Sequence, residues 1–264
     1  MTAVPERLAA NVAWLFTEHP WLDRFAAARD AGFAAVEFPW PDDPEATATA
    51  VRDAGVRVAL LNVDAGDLAA GERGWTNDPS RTDEWRGALD AAVSLAGSLG
   101  CRTVNVLAGN HVPGVTAAEQ SAALEANLRW ALPRAARAGV TLVTELLNRS
   151  ENPEYLFGTL ADVEPVLDRL ARLGWKLQLD TWHLGLAGPD VPAAIRRARQ
   201  HIGHVQVADV PGRHEPGTGN LDWGGIAAAL RGAGYRGHIG LEYVPSTSAE
   251  ASLERVARLI LPTT

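Results

Sequence analysis

The chain has 264 residues and a formal net charge of −8, from 24 basic and 32 acidic side chains. A negative surface repels phosphate backbones, which makes nucleic acid a poor partner. Its 47% hydrophobic and 21% charged residues are ordinary for a soluble globular protein and argue against intrinsic disorder. Cys101 is the single cysteine, so no disulfide forms within the chain, which suits a reducing cytoplasm. Because neither a signal sequence nor an apolar stretch of roughly 18 residues is recognisable, we expect a cytoplasmic protein without membrane association.

Short apolar segments typical of β-strands alternate with amphipathic segments typical of helices along the whole chain. The predicted strands are 10–16, 34–38, 56–62, 102–107, 141–147, 176–180, 202–208 and 238–243. The predicted helices are 21–31, 44–54, 81–99, 117–138, 160–173, 191–200, 226–231 and 249–260. Glycine follows many of these helices, as is usual at helix C termini. Eight strand–helix units predict an α/β protein with one (β/α)₈ TIM-barrel domain over residues 1–264.

Polar residues interrupt the ends of several predicted strands, where barrels of this kind carry their active sites. Four of them belong to the consecutive strands five to eight: Glu145, Asp180, Gln206 and Glu242. Three carboxylates in one mouth would repel one another and raise one another's pKa values, unless a divalent cation neutralises them. Oxygen ligands favour Mg²⁺ or Mn²⁺ over zinc. The alternative is that these acids are solvated at the barrel rim or paired with Arg149 and Arg213.

Further residues near the predicted strand ends are candidates for substrate contacts. His183 follows Asp180 by three residues and lies in the same mouth. Arg213, in the loop after the seventh strand, is a candidate clamp for a substrate carboxylate or for hydroxyl groups. Asn62 ends the third strand. Tryptophans near strand ends would form an apolar wall against the C–H faces of a sugar: Trp14, Trp40 and Trp182.

From residue 10 to residue 245 the chain resembles the hydroxypyruvate isomerase family, within the xylose isomerase-like barrel superfamily. The most specific stretches are 65–74 and 202–209, the latter continuing through Arg213 to 215–219. The resemblance implies that Glu145 and Glu242 are the acid/base pair. It implies that both also bind the metal, together with Asp180 and Gln206. It further implies a small hydroxy-keto acid or sugar as substrate, and a possible homo-oligomer.

Some positions depart from this family pattern: Leu61, Leu146 and Val244. The segments 145–151 and 180–183 look more like the related ketose 3-epimerases. In those enzymes an acid six residues after the first glutamate helps to bind the sugar, and that acid would be Glu151 here. A ketose 3-epimerase therefore stays as the alternative to a hydroxypyruvate isomerase.

The expected chemistry is proton transfer through an enediolate, which for hydroxypyruvate yields tartronate semialdehyde. A sugar-acid dehydratase on the same barrel is another possible activity. A metal-dependent DNA-repair nuclease of this superfamily would need several zinc-binding histidines and a basic surface. A relative that only binds its ligand is a further class, against which the intact glutamate pair argues.

Overall fold

Eight parallel strands close into a barrel in the computed structural model, which describes residues 4–188 and 190–260. The strands are β1 Leu8–Asn11, β2 Ala35–Phe38, β3 Arg57–Asn62, β4 Thr103–Asn105, β5 Thr141–Glu145, β6 Lys176–Asp180, β7 Ile202–Val207 and β8 Ile239–Leu241. Each strand pairs with the next, and β8 pairs with β1, where Ala9 lies opposite Gly240. The predicted (β/α)₈ barrel is confirmed. Of the predicted domain, residues 1–3, 189 and 261–264 lie outside the described residues.

The helices surround the barrel: α1 Arg24–Asp30, α2 Pro44–Ala54, α3 Thr82–Leu99, α4 Ala117–Arg137, α5 Leu160–Leu170, α6 Thr181–Ala187, α7 Val191–Ala198, α8 Trp223–Gly232 and α9 Ala249–Ile260. In helix α2 a capping side chain fixes the N terminus and a glycine fixes the C terminus. Asp43 accepts the N–H of Ala46 at 2.9 Å, and Gly55 ends the helix with a φ of 67°. Among the described residues, no helix combines the length and the apolar character that crossing a membrane requires.

The predicted first strand at 10–16 is wrong in its bounds, because β1 is Leu8–Asn11. The side-chain oxygen of Asn11 accepts the N–H of Ala13 at 3.1 Å, and this turn ends the strand. Phe16 has a φ of 62°, which lies outside the β region. Four other predicted strands extend beyond the C-terminal ends of the observed strands: 102–107, 141–147, 202–208 and 238–243.

Helix α6 follows β6 directly and is not predicted from the sequence. Asp180 both ends the strand and caps the helix, since its Oδ1 accepts the N–H of Trp182 at 2.9 Å. The strand-to-helix turn therefore has no loop residues between its two elements. As a result, His183 lies in the first turn of α6, beside the end of β6.

Apolar side chains fill the layer between the barrel and its helices, but the inside of the barrel contains a buried polar cluster. Glu37 of β2 is fully buried, and His204 of β7 is 2% exposed. A register shift between Val36 and Glu37 interrupts the pairing of β2 with β3. A Cβ atom at Gly240 would lie 2.2 Å from an Oε1 atom of Glu37, so β8 needs a glycine at this position.

Candidate active site

A cavity of about 470 Å³ lies at the carboxyl ends of the strands. Eight of the nine predicted site residues line it: Trp14, Asn62, Glu145, Glu151, His183, Gln206, Arg213 and Glu242. The ninth, Asp180, is 1% exposed and contacts Arg213. The predicted tryptophan wall is wrong for two of its three members: Trp182 is not among the lining residues and donates to Glu151 instead, and Trp40 lies elsewhere. It lines a separate, larger cavity beside α2 and α3, of about 860 Å³.

Two carboxylates and one imidazole converge beneath the cavity. Glu145 ends β5, Asp180 ends β6, and His183 belongs to α6. The Nε2 atom of His183 lies 3.9 Å from Oε1 of Glu145 and 3.7 Å from Oδ2 of Asp180. One potential ligand atom from each of the three lies within 4.8 Å of the other two, and all three side chains are buried. Oxygen and imidazole ligands at this spacing are able to hold a divalent cation.

Arg213 lies between two of the predicted metal ligands. Its Nη2 atom is 3.3 Å from Oδ2 of Asp180 and 3.2 Å from Oε2 of Glu242, which directly follows β8. Its guanidinium carbon lies 4.2 Å from the ring centroid of Trp14. The alternative from the sequence, in which the strand-end acids pair with Arg213, is therefore observed for Asp180 and Glu242. Arg149, the other candidate partner, instead pairs with Asp162 at 3.0 Å.

The carboxyl groups hold more negative charge than this one guanidinium offsets. Burial, followed by the charge of Asp180, raises the pKa of Glu145 to about 8. Burial also raises the pKa of Asp180 and, to a larger extent, that of Glu242. The buried Oε2 atom of Glu242 accepts no hydrogen bond from the described residues, and its contact with Nη2 of Arg213 at 3.2 Å is an ion pair only. A buried carboxylate oxygen that accepts no hydrogen bond, beside two further acids, fits a site for a divalent cation.

Gln206, the fourth predicted ligand, is held on both sides of its carboxamide. Its Nε2 donates to Oε1 of Glu37 at 2.7 Å, and its Oε1 accepts from Nε2 of Gln178 at 2.5 Å. Glu37 in turn contacts Nε2 of His204 at 2.6 Å and accepts from Asn11 at 3.1 Å. The oxygen that a cation needs is thus engaged by Gln178, and it would be shared or released when a cation binds.

His183 is a neutral imidazole with a defined tautomer. Its Nδ1 accepts the backbone N–H of Asn148 at 3.1 Å, so the proton is assigned to Nε2, which faces Glu145 and Asp180. Burial, followed by the positive charges of Arg213 and Arg73, holds the pKa of His183 well below its usual value. The imidazole is therefore able to donate one hydrogen bond toward the cavity at neutral pH.

Glu151 and Asn105 are also fixed by neighbours. Oε2 of Glu151 accepts from Nε1 of Trp182 and from Nδ2 of Asn148, both at 3.0 Å. Nδ2 of Asn105 donates to Oε2 of Glu145 at 3.1 Å. The roles of Gln178 and Asn148 are missed by the sequence analysis, because internal polar residues of strands and loops give no pattern of their own.

Comparison with known proteins identifies a family match and relatives that are named isomerases. The model of the xylose isomerase-like TIM barrel family matches residues 25–260. A relative in Streptomyces coelicolor named "Putative hydroxypyruvate isomerase" is 41% identical over 260 residues, covering 93% of this chain and 93% of the relative. A 2-oxo-tetronate isomerase of Cupriavidus necator is 37% identical and covers 94% of this chain and 96% of the relative.

Solved structures share the barrel. A Brucella melitensis protein described as AP endonuclease, family 2, is 33% identical with a TM-score of 0.88, covering 96% of this chain and 98% of the other. An L-ribulose 3-epimerase is more distant, at 27% identity and a TM-score of 0.69, with coverages of 97% and 86%. These matches confirm the resemblance to hydroxypyruvate isomerases that the motifs indicate, and the chain belongs to the xylose isomerase-like TIM barrel family.

Proposed function

We propose that the protein is a metal-assisted isomerase that moves a proton between neighbouring carbons of a small hydroxy-keto acid, with hydroxypyruvate and tartronate semialdehyde as the substrate pair. One observation carries the proposal. Glu145 and Glu242, from β5 and the end of β8, line one cavity and have pKa values raised by burial. Perturbed carboxyl groups in a cleft are typical of acid/base catalysts. Relatives named as isomerases over more than nine-tenths of this chain support the reaction class.

We assign the metal ligands to Glu145, Asp180, Gln206 and Glu242. The Oε2 atom of Glu242, which accepts no hydrogen bond, and the three raised carboxyl pKa values support this assignment. Mg²⁺ or Mn²⁺ held by these residues would supply positive charge beside the oxygens of the substrate. His183 and Arg213 both line the cavity and contact these proposed ligands. We assign both to substrate contacts.

The reaction needs one base and one acid that act on neighbouring carbon atoms of the substrate. One glutamate removes a proton from the hydroxymethyl carbon, and the other returns a proton to the former carbonyl carbon. The hydroxyl proton moves from the first oxygen to the second, so atoms and charge balance. His183 would donate its Nε2 proton to a substrate oxygen. Asn62, Trp14 and Glu151 would enclose the remaining faces of the substrate.

A ketose 3-epimerase is the second candidate, and Glu151 favours it. This carboxylate lines the cavity and is fixed by Trp182 and Asn148, as a sugar-binding acid would need to be. The L-ribulose 3-epimerase structure shares the barrel. Its lower identity leaves the isomerase in first place. The DNA-repair alternative has little support, since the candidate metal cluster among the described residues holds one histidine and the chain carries a charge of −8.

Proton NMR in D₂O with Mg²⁺ or Mn²⁺ tests the proposal, with hydroxypyruvate and a panel of ketoses as substrates. Conversion of hydroxypyruvate with deuterium incorporation at carbon supports proton-transfer isomerisation. Conversion of a ketose alone would overturn the isomerase proposal in favour of the epimerase. We place the reaction in the cytoplasm, because Cys101 is unpaired and buried.

A further inference from the structure

Two arginines line the active-site cavity, and their surroundings differ. Arg213 is neutralised by Asp180 and Glu242. Arg73 makes no ion pair with any carboxylate in the described part of the chain. Its Nε donates to the amide oxygen of Asn152 at 2.7 Å, and its Nη1 donates to the carbonyls of Leu68 and of its neighbour Glu72 at 3.0 and 2.7 Å. Arg73 therefore keeps its full positive charge beside the cavity.

The guanidinium of Arg73 also keeps unused donors. Of its five N–H groups, those on Nε and Nη1 point to uncharged oxygens. Its Nη2 has no hydrogen-bond partner among the described residues. A guanidinium with a free Nη2 and no counter-ion is able to bind a carboxylate through that nitrogen.

The carboxylate of Glu72, the residue before Arg73, forms its hydrogen bonds with other residues. Glu72 accepts the backbone N–H of Asp67 at 2.8 Å through Oε2. Its Oε1 accepts from Trp75 at 3.0 Å and from Arg81 at 2.8 Å. These hydrogen bonds hold the pKa of Glu72 at about 2. The Glu72 carboxylate is thus paired with Arg81, and Arg73 contacts only the backbone carbonyl of Glu72.

Packing and hydrogen bonds hold the loop that carries Arg73. Arg81 stacks on Trp75 with its guanidinium carbon 3.7 Å from the ring centroid. Gly66 and Gly74 have positive φ angles of 82° and 84°. A Cβ atom at Gly66 would lie 2.3 Å from Glu72, so the backbone packs closely against this carboxylate. A preformed loop reduces the entropy lost when a ligand binds.

The far side of Arg73 connects to the other cavity residues. Asn152, which fixes Nε, donates to the carbonyl of Asn148 at 3.3 Å. The backbone N–H of Asn148 in turn donates to His183. The guanidinium is therefore held between the loop after β3 and the loop after β5, and it lines the same cavity as the proposed catalytic groups.

We propose that Arg73 binds the carboxylate of the substrate and thereby selects hydroxy-keto acids over neutral ketoses. This inference rests on the proposed function. In the proposed reaction the carbonyl and hydroxyl oxygens of the substrate would face the glutamates, which leaves its carboxylate to be bound by a separate cation. Arg213 already serves two acids, and Arg73 has the charge and the free donors. Arg73 is a specificity-determining residue, and its removal affects acidic substrates more than neutral ones.

The test compares Arg73→Gln and Arg73→Lys with the wild type on hydroxypyruvate and on dihydroxyacetone, in which a neutral hydroxymethyl group replaces the carboxylate. For Arg73→Gln we expect kcat/KM for hydroxypyruvate to fall roughly 10- to 100-fold, as the loss of a charged hydrogen bond predicts. The value for dihydroxyacetone stays within about 3-fold of the wild type, a difference of less than 1 kcal/mol. Arg73→Lys recovers part of the loss. Arg149→Gln, which removes an arginine paired with Asp162 outside this cavity, is the matched control.

Binding of glycerate, a carboxylate that does not isomerise, gives a second measurement that needs no turnover. We expect glycerate to raise the melting temperature of the wild type and of Arg149→Gln, but not of Arg73→Gln. An equal loss on both substrates would overturn the inference, because Arg73 would then only shape the loop. Wild-type inactivity on hydroxypyruvate would instead contradict the proposed function. Glycerate binding that depends on Arg73 would still support a carboxylate site in that case.

Discussion

Nε2 of Gln206 donates a 2.7 Å hydrogen bond to Oε1 of Glu37, and both side chains are buried inside the barrel. A carboxylate accepts hydrogen bonds only, so it selects the nitrogen of the carboxamide and turns the oxygen away from itself. Glu37 therefore fixes which atom of Gln206 is available to a cation. His204, at 2.6 Å from the other Glu37 oxygen, holds this carboxylate in place.

We expect Glu37→Gln to weaken the binding of Mn²⁺ by about 10- to 100-fold, the usual effect of removing a group that orients a metal ligand. The substituted amide can face Gln206 with either end, so the orientation of the ligand is no longer defined. Isothermal titration calorimetry with Mn²⁺ measures the change. Circular dichroism establishes whether the variant keeps the barrel. Wild-type affinity in a folded variant would show that Gln206 does not depend on Glu37.

The pKa of Glu145 sets a pH dependence for stability. Burial and Asp180 raise it from 4.5 to about 8 in the cation-free protein. A carboxyl group with a raised pKa in the folded state stabilises the fold below its unfolded value, and this contribution is lost as the pH rises through the folded value. Without divalent cations, the free energy of unfolding should therefore fall between about pH 5 and pH 8.

Urea unfolding at several pH values, with and without Mg²⁺, measures this effect. The added cation should stabilise the protein more at pH 8 than at pH 5.5, because it competes with protons for the same carboxylates. Glu145→Gln cannot ionise at this position and should reduce the slope of the cation-free profile, with the remaining slope due to Asp180 and Glu242. The same slope in this variant and in the wild type would show that other groups control the pH dependence.

The strand-end acids can be predicted from the sequence, and their hydrogen-bond partners cannot. Glu145 and Asp180 each end an apolar segment, and in a parallel barrel that position faces the active-site mouth. The contact of Glu37 with Gln206 joins residues 169 positions apart. It depends on the register shift at Glu37 and on the space left by Gly240, neither of which has a local pattern.

The hydrogen-bond partners of the loop that carries Arg73 cannot be predicted from the sequence either. The stretch 65–74 is distinctive in the sequence, but the role of Arg73 depends on where Glu72 points. Only the folded loop shows that Arg81 takes the Glu72 carboxylate. The proposed metal ligands are thus predictable from their positions at strand ends. The unpaired charge of Arg73 depends instead on the pairing of Glu72 with Arg81.

The paired glutamates should be essential for turnover and dispensable for folding. We expect Glu145→Gln and Glu242→Gln each to lower kcat for hydroxypyruvate by at least about 100-fold, since general acid–base groups contribute 10² to 10⁴. Glutamine keeps the shape of a protonated glutamic acid, so the melting temperature of the cation-free variants at pH 6 should change little. Deuterium incorporation by NMR measures the activity. Substantial exchange in either variant would remove that residue from the acid/base pair.

Gly240 leaves the space that the buried Glu37 carboxylate occupies. A Cβ atom at this position would lie 2.2 Å from Oε1 of Glu37, so Gly240→Ala must displace either β8 or the carboxylate. Overpacking of a buried site costs about 1–3 kcal/mol, and the displaced carboxylate would also lose hydrogen bonds. Gly97→Ala is the matched control, because a Cβ atom at Gly97 in α3 meets no atom within 4 Å. The control should gain about 0.5–1 kcal/mol from the helix propensity of alanine. Urea unfolding at pH 7 with saturating Mg²⁺ compares the two, and equal stability of Gly240→Ala and the wild type would show that the barrel accommodates the methyl group without moving Glu37.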